Sequence, residues 1–309
     1  MNVGILGSGF GLYGYLPAVA GLVETVVLPR RYQATFEARE DIGRFAKDID
    51  WAGDDEEVLR RCDALIVGRR PADQVELVRR ALSTYPAIDR FLLEKPLAPD
   101  PRQARQLLVD LREAGKHTRV GFTFRYTPWA ERLRGWLSTA DPTTPLSIDW
   151  RFNAHHYRTQ LETWKRRPSQ GGGVLRFYAI HLVALLAEFG YHDVEWSSIR
   201  SSGEDDDHRW QARLCGPGLP SCDLMVDSKA AETRFLVMAG SGPGSTAPFA
   251  VAFGDPFDEA PASALDRRVD VLTSLCREFA KASPPELPNW YARSVDLWAA
   301  IEAKTVRNS

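Results

Sequence analysis

Apolar and polar residues follow two different patterns along this chain, and the first pattern occupies its amino-terminal part. Five short apolar runs have the length of buried strands, at 3–6, 23–28, 64–67, 90–93 and 118–124. The stretches between several of them carry apolar residues at helical spacing. Alternating strands and helices predict a doubly wound parallel sheet, an α/β domain of the Rossmann type. We place this domain at residues 1–122.

The second pattern follows at 123–309, where strand-like segments succeed one another with little helix between them. These segments lie at 146–153, 195–200, 209–214, 222–227, 234–239 and 249–253. They predict an α+β domain built on a large, mostly antiparallel sheet. In the 209–214 segment apolar residues alternate with polar ones, so we expect helices to cover one face of the sheet. The other face is expected to be solvated or used for assembly.

Three further segments of this second part have simpler interpretations. The acidic run 205–207 is expected to be a solvated hairpin turn. Helices near 265–282 and 289–306 read as packing elements without chemistry of their own.

Closely spaced glycines follow the first apolar run and give the first chemical signal. Gly7, Gly9 and Gly11, with Ser8 and Phe10 between them, leave backbone amides bare at a helix start, which suits a phosphate anion. Leu12 stands where a dinucleotide fingerprint has its third glycine, so a plain glycine turn is the alternative. The place of the loop between strand and helix favours dinucleotide binding. A nucleotide-binding P-loop is excluded, because the lysine it needs is replaced by Tyr15.

Basic residues follow two of the predicted strands. Arg30 and Arg31 come after the second strand, where NAD-binding domains usually carry an acidic residue for the ribose hydroxyls. Arginines at this position suit the 2′-phosphate of NADP, so we predict a preference for NADP(H), with NAD(H) as a possible cofactor. Arg69 and Pro71 follow the 64–67 strand and are candidates for cofactor binding. The alternative is that these arginines are solvated surface residues.

A charged pair ends the 90–93 strand. Glu94, Lys95 and Pro96 follow it directly, at the edge where the ligands of such sheets bind. A lysine there can hydrogen-bond a carbonyl or hydroxyl of a bound substrate, with Glu94 to orient it. We therefore place Lys95 in the catalytic group and, with Glu94, in the cofactor site. An exposed ion pair without function is the alternative.

Another informative stretch begins at Trp164 and contains three consecutive glycines, at 171–173. The helix that follows is apolar nearly all round, should be buried, and carries His181. Phe177 and Tyr178 precede this histidine by four and three residues, so Phe177 should share its face. A lone histidine on an apolar helix is more often a core residue than a catalyst. The glycines, however, indicate close approach by another backbone segment or a ligand.

Composition narrows the range of partners. The 309 residues are 44% hydrophobic and 26% charged with a net charge of −2, which is typical of a globular protein and predicts no nucleic-acid or membrane partner. No basic leader or long apolar span is visible, and the four cysteines form no paired motif, so we expect reduced thiols, a cytoplasmic protein and no metal site. A small-molecule substrate remains as the expected partner.

Taken together, these motifs resemble the glucose-fructose oxidoreductase / inositol dehydrogenase / rhizopine catabolism (Gfo/Idh/MocA) family. The shared segments are GSGFG at 7–11, LLEKPLA at 92–98, VGFTFRYTP at 120–128, Trp164, and GGG followed by the histidine at 181. The resemblance implies a Rossmann domain, then a sheet domain whose open face mediates homodimers or homotetramers. It also implies hydride transfer at a sugar, polyol or related carbonyl, with Lys95 and His181 as active-site residues. Arg125 and Trp164, which lie in these motifs, are candidate substrate-binding residues.

Departures from the family pattern concern the substrate side. Phe177 stands where an aspartate is usual, and Gln74 stands where a histidine commonly follows the turn after the 64–67 strand. Phenylalanine cannot pair with a substrate hydroxyl, so we expect a substrate with an apolar or aromatic part beside Phe177 rather than a simple polyol. His181 is the preferred proton donor and Tyr178 the second candidate.

The predicted activity is an NADP(H)-dependent oxidoreductase acting on a small carbonyl, alcohol or imine, such as a modified sugar or a biosynthetic intermediate. The alternative is a non-catalytic dinucleotide-binding regulator or sensor of the same fold. An enzyme that holds its cofactor tightly and recycles it is a third possibility.

Overall fold

The computed structural model of the protein describes residues 1–240, 248–259, 267–281 and 286–308. The chain forms two compact units, each assembled from separate segments. The first unit contains 1–98, 106–126 and the described part of 260–288, and the second contains 99–105, 127–259 and 289–309. The predicted domain boundary between residues 122 and 123 stays a prediction.

The first unit is built on a six-stranded, wholly parallel sheet in the order β3-β2-β1-β4-β5-β6. Its strands are β1 Asn2–Leu6, β2 Thr25–Pro29, β3 Ile49–Ala52, β4 Ala64–Val67, β5 Arg90–Leu93 and β6 His117–Val120. This is the strand order of a Rossmann fold and confirms the predicted doubly wound sheet. The order reverses between β1 and β4, and ligands of such sheets bind at the carboxyl ends of the strands around that point.

Two strand predictions in this unit need correction. The predicted strand 118–124 is wrong beyond Val120, because Thr123–Tyr126 form a 3₁₀ turn instead. β3 was not predicted, since its four residues include Asp50 and give too short an apolar signal.

The helices of this unit begin where capping residues stand in the sequence. Asp54 accepts a hydrogen bond from the Glu57 amide at 2.8 Å and caps α4, and Pro71 is the first residue of α5. The helices of this unit are α1 Leu16–Val19, α2 Gln33–Glu37, α3 Glu40–Gly43, α4 Asp55–Arg61, α5 Pro71–Thr84, α6 Pro101–Glu113 and α10 Val269–Ala280. The first turn of α6 belongs to the second unit. A π-helical turn, Gly11–Tyr15, precedes α1.

Helix α10 comes from the carboxyl-terminal part of the sequence but packs in the core of this first unit. Its Leu272, Leu275 and Phe279 are fully buried in the same cluster as Val3 and Ile66. Each such side chain contributes about 1.5–3 kcal/mol on burial. The helix predicted over 265–282 is present as Val269–Ala280, and its predicted ends at 265 and 282 lie outside the described residues.

The second unit is built on a seven-stranded sheet in the order β12-β11-β7-β10-β9-β8-β13. The strands are β7 Leu146–Asn153, β8 Asp193–Ser201, β9 Asp207–Cys215, β10 Cys222–Asp227, β11 Lys229–Ala239, β12 Phe249–Phe253 and β13 Thr305–Asn308. Four of its six pairings are antiparallel, while β7 with β10 and β8 with β13 are parallel. This confirms a mostly antiparallel sheet. The alternation in β9 is also confirmed, since Trp210, Ala212 and Leu214 are fully buried.

The helices of this unit are α7 Pro128–Leu137, α8 His155–Arg158, α9 Ile180–Phe189 and α11 Asn289–Lys304. A second π-helical turn, Val174–Ala179, leads directly into α9, which is buried from Ile180 to Ala187. The prediction of a helix to residue 306 is wrong, because α11 ends at Lys304 and the next residues pair with β8 as β13.

The prediction of a solvated hairpin turn at 205–207 is confirmed for the hairpin and wrong for the solvation, because 205 and 206 lie in the connection between antiparallel β8 and β9 and Asp207 begins β9. Asp207 is only 2% exposed and accepts hydrogen bonds from Ser201 and Arg307. Asp206 accepts from Tyr157 at 2.6 Å and from Arg166 at 2.6 Å. The carboxylates of Asp206 and Asp207 are therefore held by side chains from other parts of the chain. The composition of the acidic run alone does not reveal these partners.

Among the residues that the structure describes, no helix is long and apolar enough to cross a membrane. All four cysteines are free thiols.

Candidate functional site

The glycine loop lies directly after β1 at the reversal of the first sheet. A Cβ added at Gly7 would lie 2.4 Å from the Gly68 carbonyl oxygen, and one added at Gly68 would lie 3.2 Å from the Gly11 amide nitrogen. The turns after β1 and β4 therefore pack backbone against backbone, which requires glycine at these positions. Gly68 was not singled out by the sequence motif.

Gly9 has a different environment. A Cβ added there would meet no protein atom within 4 Å, and Ser8 and Gly9 are both exposed. Protein packing therefore does not explain this glycine, whereas access of a phosphate to the loop amides does. The loop thus fits the pyrophosphate of a dinucleotide, with Phe10 and Gly11 opening the helical segment behind it.

The predicted cofactor arginines differ in their contacts. Arg30 is exposed, and its guanidinium makes no hydrogen bond or ion pair with any residue in the described ranges. Arg31 pairs with Asp55, with Nη2 at 2.6 Å from Oδ1, and Arg69 pairs with the other carboxylate oxygen of Asp55. The structure therefore brings Arg31 and Arg69 together through an acidic residue that the sequence analysis did not select.

Tyr32 connects these charges to the glycine loop. Its hydroxyl accepts a hydrogen bond from the Gly7 amide at 3.1 Å and another from Arg31 at 3.2 Å. The side chain is buried and the Arg31 guanidinium lies 4.8 Å from the centre of its ring. An ion pair and two hydrogen bonds therefore link Asp55, through Arg31 and Tyr32, to the first amide of the loop.

Lys95 lies in the turn after β5, at the same edge of the sheet as the glycine loop. The Glu94 amide donates to the Val67 carbonyl at 3.2 Å and the Gly68 amide donates to the Leu6 carbonyl at 2.9 Å, so the ends of β1, β4 and β5 are in register. Pro71 begins α5 in the turn after β4. These predicted residues thus converge on one edge of one sheet.

Gln74 fixes the backbone of the Lys95 turn. Its amide oxygen accepts from the Glu94 N–H at 2.9 Å, and its amide nitrogen donates to the Glu94 carbonyl at 2.8 Å and the Leu97 carbonyl at 3.1 Å. The side chain is fully buried. Glutamine replaces the usual family histidine here, and its paired donor and acceptor match the backbone of a single residue.

The Glu94 side chain is held on the opposite side of that turn. The Tyr15 hydroxyl donates a hydrogen bond to Glu94 Oε1, and a Cβ at Gly121 would lie 2.6 Å from that hydroxyl. Burial raises the pKa of Glu94, while Lys95 and the Tyr15 hydrogen bond act in the opposite direction. Burial and then the neighbouring carboxylate raise the pKa of Tyr15. Tyr15 therefore serves as a hydrogen-bond donor that orients Glu94.

Arg125, a candidate for substrate binding, follows β6 in the 3₁₀ turn. Its Nη1 is 3.1 Å from Glu278 Oε1 of α10, and the neighbouring Tyr126 hydroxyl donates to the other carboxylate oxygen at 2.9 Å. Contact with an internal carboxylate shows a structural role for Arg125 and leaves its role in substrate binding a prediction.

In the second unit, the three glycines allow close approach by another backbone segment. A Cβ at Gly172 would lie 2.1 Å from the carbonyl oxygen of Trp164, and Gly171 and Gly173 have φ angles of 84° and 77°. Of the two alternatives left open by the sequence, the structure shows the backbone contact. The glycines position the Trp164–Arg166 turn beside the Val174–Ala179 turn.

Phe177 and Tyr178 form part of a partly exposed aromatic cluster, defined here as Phe152, Trp164, Phe177 and Tyr178. Phe177 packs edge-to-face on Trp164 at 5.3 Å and on Tyr178 at 4.8 Å, and Lys165 Nζ lies 5.3 Å from the centre of its ring. Tyr178 also packs on Phe152 at 4.8 Å. The structure therefore brings Trp164 and Phe177 together as an aromatic surface with a cation beside it.

His181 lies in the first turn of α9 and is buried, with 8% of its surface exposed. A second buried histidine, His156, was not selected from the sequence. Its Nδ1 lies 3.5 Å from the Tyr178 hydroxyl, and burial, reinforced by Lys165 and Arg166, lowers its pKa to about 4. Burial also raises the pKa of Tyr178.

Comparison with known proteins supports the interpretation of the first unit. Residues 1–122 match the Gfo/Idh/MocA family model, described as an oxidoreductase family with an NAD-binding Rossmann fold. The match confirms the resemblance over those residues. No curated protein is similar enough in sequence to match this chain.

Solved structures share the fold over nearly the whole length. A 3-ketoreductase from Actinomadura kijaniata, in complex with NADP and TDP-benzene, is 19% identical with a TM-score of 0.69, covering 99% of this chain and 98% of that one. D-galactose-1-dehydrogenase from Rhizobium etli is 15% identical with a TM-score of 0.75, covering 99% and 96%. A gentamicin A biosynthesis protein in complex with NAD is 16% identical with a TM-score of 0.71, covering 98% and 93%.

Proposed function

We propose, from the premise that residues 1–122 form the NAD-binding Rossmann domain of an oxidoreductase family, that this protein is an NADP(H)-dependent oxidoreductase of a small carbonyl, alcohol or imine. One observation carries the proposal: the exposed glycine loop after β1 and the Lys95 turn after β5 lie at the same edge of one parallel sheet. That edge is where such sheets bind dinucleotides. The family match is to oxidoreductases and gives no support to a regulatory protein.

The chain's own residues would divide the work as follows. The Gly7–Gly11 loop binds the pyrophosphate, and Lys95 donates a hydrogen bond to the oxygen or nitrogen of the reacting bond. The chemistry that a bound reduced nicotinamide would supply is a hydride for the carbon of that bond. His181 supplies the proton to the oxygen or nitrogen, and in the oxidative direction it takes the proton back.

The aromatic cluster supports a substrate with an apolar or aromatic part. Phe177 offers a ring edge where the family usually has a carboxylate, so a polyol hydroxyl facing it would lose a partner at a cost of about 1–3 kcal/mol. A nucleotide-linked sugar is a second candidate, because the ketoreductase named above was crystallised with TDP-benzene. A deoxygenated sugar or an imine intermediate satisfies both considerations.

The proposal also covers the oligomeric state of the protein and its location in the cell. Assembly into a homodimer or homotetramer through the open face of the second sheet is supported by Met238, which is 53% exposed on β11. Free cysteines support a reducing, cytoplasmic location.

The cofactor preference is the first test. Arg30 is available to a 2′-phosphate, so wild-type protein should bind NADPH more tightly than NADH. The double variant Arg30→Ala/Arg31→Ala should lose about 2 kcal/mol or more of NADPH affinity, over tenfold, and little NADH affinity. Fluorescence titration with both cofactors measures this, with Arg39→Ala, a neighbouring arginine paired with Asp41, as control. Equal wild-type affinities, or a double variant that keeps its preference, would contradict the proposal.

A further inference from the structure

Asp55 occupies an unusual position between two arginines of the first unit. Its Oδ1 lies 2.6 Å from Arg31 Nη2, and its Oδ2 accepts a hydrogen bond from Arg69. One carboxylate therefore partly neutralises both guanidinium groups. The side chains of Asp55 and Arg69 are largely buried, at 22% and 25% exposed, so solvent screens this pairing less than it would at the open surface.

The positions of Arg31, Asp55 and Arg69 on the sheet indicate which part of the cofactor they face. Arg31 follows β2, Asp55 opens α4 after β3, and Arg69 follows β4, so all three lie at the carboxyl ends of parallel strands. In a Rossmann sheet the adenosine end of the dinucleotide lies beside β2 at this edge. Asp54, not Asp55, provides the side-chain cap of α4, so the Asp55 carboxylate is left to contact the two arginines.

We propose that Asp55 sets the cofactor selectivity of this protein by opposing the 2′-phosphate of NADP and accepting a ribose hydroxyl of NAD. This inference rests on the proposed function and concerns the same dinucleotide site. A phosphate monoester brings a charge of about −1.5 to −2, so it competes with the carboxylate for Arg31 and Arg69 and is repelled by it. A ribose hydroxyl carries no charge and can donate a hydrogen bond to Asp55. Arg30 has no such carboxylate beside it and keeps its contribution to NADP binding.

A purely structural role for Asp55 has a different consequence. If Asp55 served only to hold Arg31 and Arg69 in place, removing its charge would weaken the binding of both cofactors or of NADPH in particular. An opposing role strengthens NADPH binding and weakens NADH binding. Removing the Asp55 charge should therefore strengthen NADPH binding if Asp55 opposes the phosphate and weaken it if Asp55 is purely structural.

The experiment is a titration of purified full-length protein with NADPH and with NADH, comparing wild type with Asp55→Asn. The ratio of the NADH Kd to the NADPH Kd should rise about tenfold, which is about 1.4 kcal/mol, with tighter NADPH binding. Asp50→Asn is the matched control, because Asp50 on β3 pairs with Arg61 away from these arginines, and it should leave the ratio unchanged. Asp55→Ser, a residue suited to a helix start, is the second variant if Asp55→Asn does not fold, and it should shift the ratio in the same direction.

Each outcome decides one point. A ratio that stays constant or falls in the Asp55 variants, or NADPH binding that weakens in them, while wild type binds both cofactors, overturns this inference and leaves the proposed function standing. Wild-type protein that binds neither cofactor overturns the proposed function itself.

Discussion

Two side chains near the start of α9 are candidates for the proton donor, and their surroundings favour His181. Burial raises the pKa of Tyr178, so its hydroxyl holds the proton more firmly than an ordinary tyrosine. A histidine ring has two nitrogens, one that donates and one that accepts, so it can both give and take a proton. We therefore expect His181→Ala to lower kcat about 100-fold and Tyr178→Phe to lower it by about fivefold or less.

Oxidation of NADPH with a panel of carbonyl and imine substrates measures both variants. His192→Ala, an exposed histidine of the same unit, is the control. A larger loss in Tyr178→Phe than in His181→Ala would assign the donor role to the tyrosine instead.

At the scale of single residues, the sequence located most of the candidate groups but not their partners. Arg31 and Arg69 could be selected because they follow strands. Asp55 could not, because its contact with Arg31 depends on how β2 and β3 pair, and β3 gave no clear pattern. A third strand placed at 49–52 would have drawn attention to the acidic residues after it.

Among the elements, α5 and the turn after β5 act together through Gln74. Replacing Gln74 with Leu keeps the volume but removes the donor to the Glu94 and Leu97 carbonyls, which costs about 1–3 kcal/mol for each group left unpaired, whereas the Glu94 N–H keeps the Val67 carbonyl. The turn should then relax and misplace Lys95. We expect Gln74→Leu to lower kcat about tenfold, against about 100-fold for Lys95→Met, with the Kd of NADPH changed less than threefold.

Steady-state kinetics and cofactor titration separate these effects, and thermal unfolding shows whether the variant is folded at the assay temperature. Gln106→Leu, at an exposed glutamine of α6 whose side chain donates to Asp110 at 2.9 Å, is the matched control. A folded Gln74→Leu protein with wild-type kcat would show that the Lys95 turn does not need this amide.

A helix or strand could be predicted from the sequence when the residues that determine it lie within a few positions of it. The helix starts at Asp54 and Pro71 follow from capping and proline geometry within a few residues, which the sequence displays locally. The strand Thr305–Asn308 follows from pairing with Ser197–Arg200, about a hundred residues earlier, and it was not predicted. The π-helical turn Val174–Ala179 likewise has no periodic signature that distinguishes it from the α-helix that follows it.

On the scale of the whole molecule, sequence order and spatial order differ. Helix α10 is encoded after the strands of the second sheet but completes the core of the first unit, whereas α11 and β13 return to the second. The pattern of apolar residues distinguishes the two types of sheet. It does not show which sheet α10 or α11 packs on, because a helix on either sheet has the same apolar periodicity.

The stability of the protein should depend on His156. This residue is 4% exposed, and burial first, then Lys165 and Arg166, lower its pKa to about 4, with Asp206 opposing. The unfolded chain has the ordinary histidine pKa of about 6.5, so below that pH the unfolded state binds a proton that the folded state does not. The stabilisation is therefore complete above about pH 6.5 and is lost as the pH falls towards 4.

Between pH 7 and pH 5 we expect wild type to lose about 1–2 kcal/mol of unfolding free energy from this group alone, and His156→Gln to lose correspondingly less. Urea unfolding followed by tryptophan fluorescence at both pH values measures the difference, because Trp150 and Trp164 lie in the same unit. The comparison uses the change with pH rather than the absolute stability, so a general destabilisation by the substitution does not affect it. His155→Gln alters the exposed neighbouring histidine and should retain the wild-type dependence. If His156→Gln and wild type lose the same free energy over this interval, protonation of His156 does not limit the stability of the fold.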